Sequence, residues 1–231
     1  MTASQRFTRL LGGNWPVLVF IGLLVVLIVL KGRFNGFDAR ALSVNALPLV
    51  LIALAQFLII LTRGIDLSLG PVASVSGALM ALTATDNPAL GIALPLAAGL
   101  AAGLLNGVLI VELRLPPIIV TLATMSIWQG VALVVLPNPG GAVPGGFQDI
   151  LMGGFSSPTI GLVTLVVWGG LMTWLMNSRF GLSLRAIGSD EAAAEMSGVR
   201  VGRTKIAAYA IGGLLAAISG MPARDPGNIE R

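Results

Sequence analysis

The chain has 231 residues, of which 55% are hydrophobic and 10% charged, and it has a formal net charge of +4 and a mean hydropathy of +0.92. Soluble domains carry about 25% charged residues, and a folded protein of this mass cannot hide so much apolar surface from water. This composition excludes a soluble globular domain and indicates a protein embedded in lipid. Because the chain has no cysteine and no histidine, thiolate and imidazole metal sites are excluded, as is Ser-His or Cys-His catalysis.

Seven apolar runs are long enough to cross a bilayer, which takes about 20 residues. Each is predicted to be helical, because an open strand edge cannot be satisfied in hydrocarbon. In chain order they cover residues 11–30, 41–61, 67–84, 90–111, 116–136, 159–176 and 206–221. We therefore expect an all-α, polytopic transmembrane helix bundle over residues 1–221. The run 11–30 is followed by Lys31 instead of a small-residue cleavage site, so it reads as a retained anchor.

The segments between the runs differ in charge, and this predicts the orientation. Placing the N-terminus in the cytoplasm puts nine basic residues inside, namely Arg6, Arg9, Arg63, Arg114, Arg179, Arg185, Arg200, Arg203 and Lys205. Lys31, Arg33 and Arg40 then fall outside, leaving aside Arg224 and Arg231 in the polar tail. This imbalance agrees with the positive-inside rule. The same spread of basic residues between apolar runs, with no basic face, argues against nucleic acid as a partner.

Small residues recur four positions apart on three of the predicted helices. The rows are Gly99, Gly103 and Gly107; Gly70, Ser74 and Ala78; and Gly212, Ala216 and Gly220. Such rows let helix backbones approach closely in a membrane. We expect all three to be packing faces of a compact bundle.

The segment Gly64–Gly70 lies at the predicted cytoplasmic entrance to the third helix. Asp66 precedes an apolar run, so it is suited to cap that helix, and Arg63 is close enough in sequence to pair with it. Gly64 and Gly70 permit tight turns or close packing. One interpretation is a capped helix with an interfacial ion pair. The other is a structural pivot formed by Gly64, Asp66, Ser68 and Gly70. A carboxylate near hydrocarbon is energetically costly, which favours a functional role for it.

The long predicted cytoplasmic loop, residues 178–205, contains start, body and stop signals for a helix. Ser189 is a suitable N-cap, Asp190 and Glu191 suit the first turn, and alanines follow. Gly198 is a suitable stop. A helix of about two turns is therefore predicted outside the membrane. The alternative is a simple linker.

Seven uncharged polar residues fall within the predicted helices: Asn45, Gln56, Asn106, Thr121, Thr124, Ser126 and Gln129. Each can hydrogen-bond a neighbouring helix, which is the preferred interpretation, or line a path for a polyhydroxylated solute. Charged residues are almost absent from the helix interiors, and this argues against proton relays and ion-coupled carriers.

Three stretches resemble bacterial sugar permeases of the ribose, xylose and arabinose type. Residues 64–70 read GIDLSLG and resemble the family's GIDLSVG signature. Asn106-Gly107 followed by 115–125, LPPIIVTLATM, is similar to its NG…PPFIVTLGTM segment. Phe180-Gly181 and then 185–198, RAIGSDEAAAEMSG, is similar to its FGRYVYAIGGNEEAARLSG loop. Order and spacing agree for all three.

The resemblance implies a permease subunit of an ABC importer for a monosaccharide in the bacterial inner membrane. The implied partners are a cytoplasmic ATPase, a periplasmic sugar-binding protein, a second permease copy and membrane lipid. The chain has no Walker-type loop, so no catalytic residue, metal or cofactor is expected in it. The resemblance assigns ATPase coupling to residues in the 178–205 loop: Arg185, Gly188, Asp190, Glu191, Ala192, Ala193, Glu195, Ser197 and Gly198.

Two departures from the family pattern set further expectations. In the coupling loop, Ala192 stands where the family has glutamate and Glu195 where it has arginine, so the ATPase contact is expected to differ. The resemblance ends near Met221, and the polar tail 222–231 is unlike the family. We therefore expect a C-terminally truncated copy. A non-functional or assembly-only remnant is the alternative to a working permease.

Overall fold

The computed structural model describes residues 18–33, 35–137 and 158–221, and helices account for most of them. It divides into two compact units after Ala41. Nine helices lie in the described residues: α1 (Leu18–Lys31), α2 (Gly36–Ile60), α3 (Leu69–Thr83), α4 (Pro88–Glu112), α5 (Pro117–Val135), α6 (Pro158–Asn177), α7 (Arg179–Ser189), α8 (Glu191–Met196) and α9 (Val201–Gly220). No strand occurs among these residues.

Every predicted apolar run is helical in its described residues except for one or two at some of its ends, which confirms the all-α prediction. Local signals explain several boundaries. Asn87 caps α4 by accepting hydrogen bonds from the backbone N–H groups of Ala89 (3.1 Å) and Leu90 (3.2 Å). Pro88 and Pro117 each open a helix, where the missing N–H costs nothing. The polar tail 222–231 and most of the Pro- and Gly-rich loop predicted at 137–146 lie outside the described residues.

The surface of the bundle is apolar, as expected of a membrane protein. Helices α4, α5 and α9 are long and apolar enough to cross a bilayer. On α5, Ile119 is 62% exposed and Val134 is 81% exposed. Outward apolar side chains at this density would be unfavourable in water and are favourable in lipid. The fold is therefore an all-α membrane helix bundle.

Helices α4 and α9 pack backbone to backbone through the predicted row on α4. A Cβ atom on Gly107 would lie 2.9 Å from Cα of Ile206, and one on Gly103 would lie 3.0 Å from Cα of Ala210. One on Gly99 would overlap the backbone of Gly213. This row is a packing face, because any side chain there would push the two helices apart.

The row on α3 was only partly predicted correctly. Gly70 and Ser74 are exposed, and no atom outside the local backbone lies within 4 Å of a Cβ atom placed on Gly70. Helix α3 instead approaches α9 through the backbone of Ala73, which lies directly against Gly220. In the α9 row, Gly220 thus faces α3, and Gly212 faces Ile59, whose Cδ1 would lie 2.9 Å from a Cβ atom placed on Gly212.

The region after α6 departs most from the predicted boundaries. Helix α9 begins at Val201, five residues before the predicted start of the last run at 206. The predicted loop 178–205 contains two helices, α7 as well as the short α8. Helix α7 is amphipathic, with Leu184 and Ile187 buried and Arg185 exposed. Its apolar residues lie on one face only, so it contains no continuous apolar run and was not predicted from hydropathy.

Candidate functional site

The loop between α2 and α3, residues 61–68, holds a buried polar cluster made of Asp66, Ser68 and Asn106. We call residues 61–68 the signature loop. Asp66 is only 6% exposed, and its Oδ1 accepts hydrogen bonds from the Ser68 backbone N–H (2.8 Å) and hydroxyl (2.6 Å). The Asn106 amide, on α4, donates to Asp66 Oδ2 (3.2 Å) and to Ser68 Oγ (2.9 Å). The cluster therefore ties the signature loop to α4.

The predicted partners of Asp66 were wrong. It does not cap α3, because Ser68 occupies the N-cap position and Asp66 bonds Ser68 itself instead of the first-turn N–H groups. Arg63 does not pair with it either, since the guanidinium points to backbone carbonyls of α7. Burial raises the pKa of the Asp66 carboxyl, while the hydrogen bonds from Ser68 and Asn106 oppose that rise.

Two further residues enclose the signature loop. The hydroxyl of Thr121, on α5, lies 3.2 Å from the Ile65 carbonyl oxygen and 2.9 Å from that of Pro117. The hydroxyl of Tyr209, on α9, lies so close to Gly64 that any side chain there would overlap it. Gly64 therefore permits this close approach. Tyr209 was missed at the sequence level, although it is the chain's single tyrosine and stands in an apolar helix.

Two atoms beside this cluster lack hydrogen-bond partners within the described part of the chain, Asn106 Oδ1 and the Tyr209 hydroxyl. Asn106 is fully buried and Tyr209 is 1% exposed. No group of acidic side chains in the described residues is arranged to hold a metal ion.

The residues predicted to line a solute path differ in their surroundings. Asn106 and Thr121 belong to the surroundings of the signature loop. Thr124 is buried and bonds carbonyls of its own helix, those of Val120 (3.1 Å) and Thr121 (3.3 Å). Gln56 is half-buried on α2 and Gln129 is exposed on α5. The side chain of Asn45 lies outside the described residues.

Helix α8 confirms the predicted short helix but not its cap. Asp190 is the N-cap, and its side chain accepts a hydrogen bond from the Ala193 N–H (3.0 Å). Ser189, the predicted cap, is instead the last residue of α7. The stop was predicted correctly, because Gly198 has a φ of +84°. The N–H groups of Gly198 and Val199 bond the carbonyls of Glu195 (2.9 Å) and Ala194 (3.1 Å), which is the Schellman pattern.

The outward face of α8 carries mostly small side chains, and these are largely exposed in the part of the chain that the structure describes. Ala194 faces inward and is 3% exposed, whereas Met196 projects outward and is 90% exposed. Four further residues of the segment are exposed: Ala192, Ala193, Glu195 and Ser197. An open cleft of about 460 Å³ adjoins the end of the helix, and its charged lining residues are Glu112, Glu195, Arg200 and Arg203.

Two contacts connect α8 and its flank to the rest of the bundle. The Lys205 ammonium, on α9, donates to both carboxylate oxygens of Glu191 at 2.7 and 2.8 Å. The Arg63 guanidinium donates to the last two carbonyls of α7, Gly188 (3.2 Å) and Ser189 (2.6 Å). Arg63 has a φ of +59°, a strained conformation for a residue with a side chain. A cation suits the C-terminal end of a helix.

Two residues of α7 that were predicted for coupling, Gly188 and Arg185, contact neighbouring parts of the bundle. A Cβ atom on Gly188 would lie 2.7 Å from the carbonyl oxygen of Leu61, so α7 approaches the signature loop directly. The Arg185 guanidinium donates to the carbonyl of Met176 at 2.8 Å, near the end of α6. Of the residues predicted for coupling, Arg185 and Gly188 thus contact other parts of the bundle, as Glu191 does through Lys205.

The family model described as "Branched-chain amino acid transport system / permease component" matches residues 39–222. The ribose import permease protein of Bacillus subtilis is 37% identical over 87% of this chain and 66% of its own length. That of Escherichia coli K12 is 35% identical over 78% of this chain and 57% of its own length.

A relative with another substrate in its name also matches. The fructose import permease protein of Rhizobium meliloti is 28% identical over 94% of this chain and 64% of its own length. The chain thus spans between about half and two thirds of the length of these curated relatives. No solved structure matches the chain.

Proposed function

The chain belongs to the permease-component family of transport systems, and on this premise we propose that it is a membrane-spanning permease subunit of an ATP-driven importer for a monosaccharide. The family description names branched-chain amino acids, but the matched relatives are named for ribose and fructose. ATP hydrolysis belongs to a separate cytoplasmic subunit, since the chain has no Walker-type loop. A substrate-binding protein delivers the sugar, and a second permease copy completes the pathway in the bacterial inner membrane.

The observation that carries this proposal is the short helix α8, which projects Met196 into solvent. An isolated six-residue helix is too short to be stable by itself. This one is capped at both ends and held to the bundle by Glu191 and Lys205, so its exposed face is rigid. An exposed apolar anchor with a charged rim is the composition of a protein interface. We assign this face to the ATPase subunit. The positive-inside rule places the segment on the cytoplasmic side of the membrane.

The roles of the other predicted residues follow from their contacts. We assign Asn106 and Thr121 to holding the signature loop in place, because the Asn106 amide nitrogen and the Thr121 hydroxyl donate hydrogen bonds to it. Gln56 and Gln129 remain candidates for the solute path. Gly64, Asp66 and Ser68 form the pivot, whereas Gly70, which is exposed, contributes least to it.

Docking of the ATPase is tested by changing Met196. We expect Met196→Asp to reduce co-purification of the ATPase about tenfold, because a charge would replace the buried apolar anchor of the interface. The measurement is the amount of ATPase recovered with the tagged permease from detergent-solubilised membranes. Met196→Leu, which keeps the apolar volume, should bind like the wild type. Equal recovery of the ATPase with Met196→Asp would contradict the assignment of this face.

Transport itself is tested by complementation. In cells that lack their own ribose or fructose permease, we expect the full protein to restore uptake of one of these sugars. Leucine uptake measured in parallel tests the amino-acid substrate that the family description names. Stable membrane insertion without uptake of any of the three solutes would favour an assembly-only remnant instead.

A further inference from the structure

We infer that the Glu191–Lys205 ion pair is the positioning link that transmits movement of α8 to the signature loop, through α9 and α4. This inference rests on the proposed function, because it assigns the route by which docking at α8 reaches the membrane-embedded part. Each step of the route is a direct contact between neighbouring residues.

The first step is the ion pair itself. The Lys205 ammonium contacts both oxygens of Glu191, and its side chain is 18% exposed against 42% for the glutamate. Lys205 stands in the second turn of α9, near the helix N-terminus, where the helix dipole disfavours a cation. Local helix stability therefore does not explain a lysine there, and partly exposed ion pairs add little to stability. What the pair does is fix the position of α8 relative to α9.

The second step carries displacement from α9 to α4. Ile206, which follows Lys205, has its Cα 2.9 Å from where a Cβ atom on Gly107 would stand. At Gly103 and Gly99 the two backbones also meet with no room for a side chain. Because there is no compressible side-chain layer between them, α9 and α4 move as one unit.

The third step carries displacement from α4 to the signature loop. Asn106 precedes Gly107 and donates to both Asp66 and Ser68. All three side chains are buried, so the hydrogen bonds cannot be exchanged for water when α4 shifts. The complete route is contiguous, and chains of packed side chains and hydrogen bonds of this kind can carry energetic coupling between sites.

A charge-exchange experiment tests this link. The full protein is reconstituted with its ATPase and binding protein, and uptake of ribose or fructose is measured per ATP hydrolysed. We expect Glu191→Lys and Lys205→Glu each to lower this ratio about tenfold, with the ATPase still bound. The double variant, which restores the pair in reverse, should return to within about twofold of the wild type. Arg179→Ala removes an exposed charge from α7 that belongs neither to the ion pair nor to the assigned docking face, and it should leave the ratio unchanged.

The outcomes separate the link from the proposed function. Wild-type ratios in both single variants, with the ATPase bound, would overturn the link and leave the permease assignment intact. Failure of the double variant to recover would also overturn it, because the charges would then act separately. A wild-type chain that neither binds an ATPase nor supports uptake would overturn both. Thermal unfolding of the single variants should stay close to that of the wild type, as for other partly exposed pairs.

Discussion

Replacement of Gly103 by leucine is expected to destabilise the bundle by about 3 kcal/mol or more, at the upper end of the range for overpacked interiors. A Cβ atom at this position would lie 2.9 Å from the Tyr209 carbonyl carbon and 3.0 Å from Cα of Ala210. These are backbone atoms, so no flexible side chain can rotate away to make room. Helices α4 and α9 must separate to accommodate the leucine, and the contacts on either side of Gly103 separate with them.

The measurement is unfolding of the purified protein in a denaturing detergent, followed by helical circular dichroism and by the monodisperse fraction in size exclusion. Gly130→Leu on α5 is the matched control, because that glycine is exposed and a Cβ atom there meets nothing within 4 Å. Leucine is the better helix former of the two residues, so the control should unfold no earlier than the wild type. Equal stability of both variants would disprove the direct backbone contact between α4 and α9.

Replacement of Asn106 by leucine is expected to cost about 3 kcal/mol at neutral pH, because it removes a donor from a buried carboxylate. The lost hydrogen bonds are those to Asp66 Oδ2 (3.2 Å) and Ser68 Oγ (2.9 Å). The matched control is Thr124→Val. Thr124 is also buried, but its hydroxyl bonds only carbonyls of its own helix, so the cost there should stay below about 1 kcal/mol.

The pH dependence of this variant provides a second readout. Burial already raises the pKa of Asp66 above its ordinary value of 3.8, and removal of the Asn106 donor should raise that pKa further. A carboxyl with a raised pKa in the folded state stabilises that state at low pH, and the effect is lost as pH rises through the folded-state pKa. The deficit of Asn106→Leu should therefore be largest at neutral pH and shrink on acidification. A deficit that is the same at every pH would contradict the pairing of Asn106 with ionised Asp66.

Both substitutions lie on α4, within one helical turn of each other. Gly103 sets the distance between α4 and α9, and Asn106, one helical turn further along α4, uses that fixed distance to reach the signature loop. If α4 and α9 were separated by side chains, the small shifts transmitted from Lys205 would be absorbed before they reached Asp66. The glycine row is thus a requirement of the proposed coupling route and a source of stability.

Sequence reasoning failed where two local signals compete at adjacent positions. Ser189 and Asp190 are both good N-caps, and nothing local decides between them. The tertiary structure decides it, because the Ser189 carbonyl ends α7 and is bound by Arg63. Arg63 was in turn predicted to pair with Asp66, its nearest opposite charge in the sequence. Proximity along the chain favoured that pair, whereas the αL backbone of Arg63 directs the guanidinium to α7.

The sequence by itself determined that this chain lies in lipid as a bundle of helices, since hydropathy and run length depend only on which residues are adjacent. It also determined that a short capped helix follows the sixth apolar run, because capping and stop signals act within one turn. Only the tertiary structure decided which polar groups meet. Asn106 reaches Asp66 across 40 positions of sequence, and that pairing exists because α4 packs against α9 and the signature loop folds onto α4. The three small-residue rows are alike in sequence, but α4 and α9 use theirs for helix contact, while Gly70 and Ser74 on α3 stay exposed. Which face of a helix is buried is a property of its neighbours, so local spacing cannot specify it.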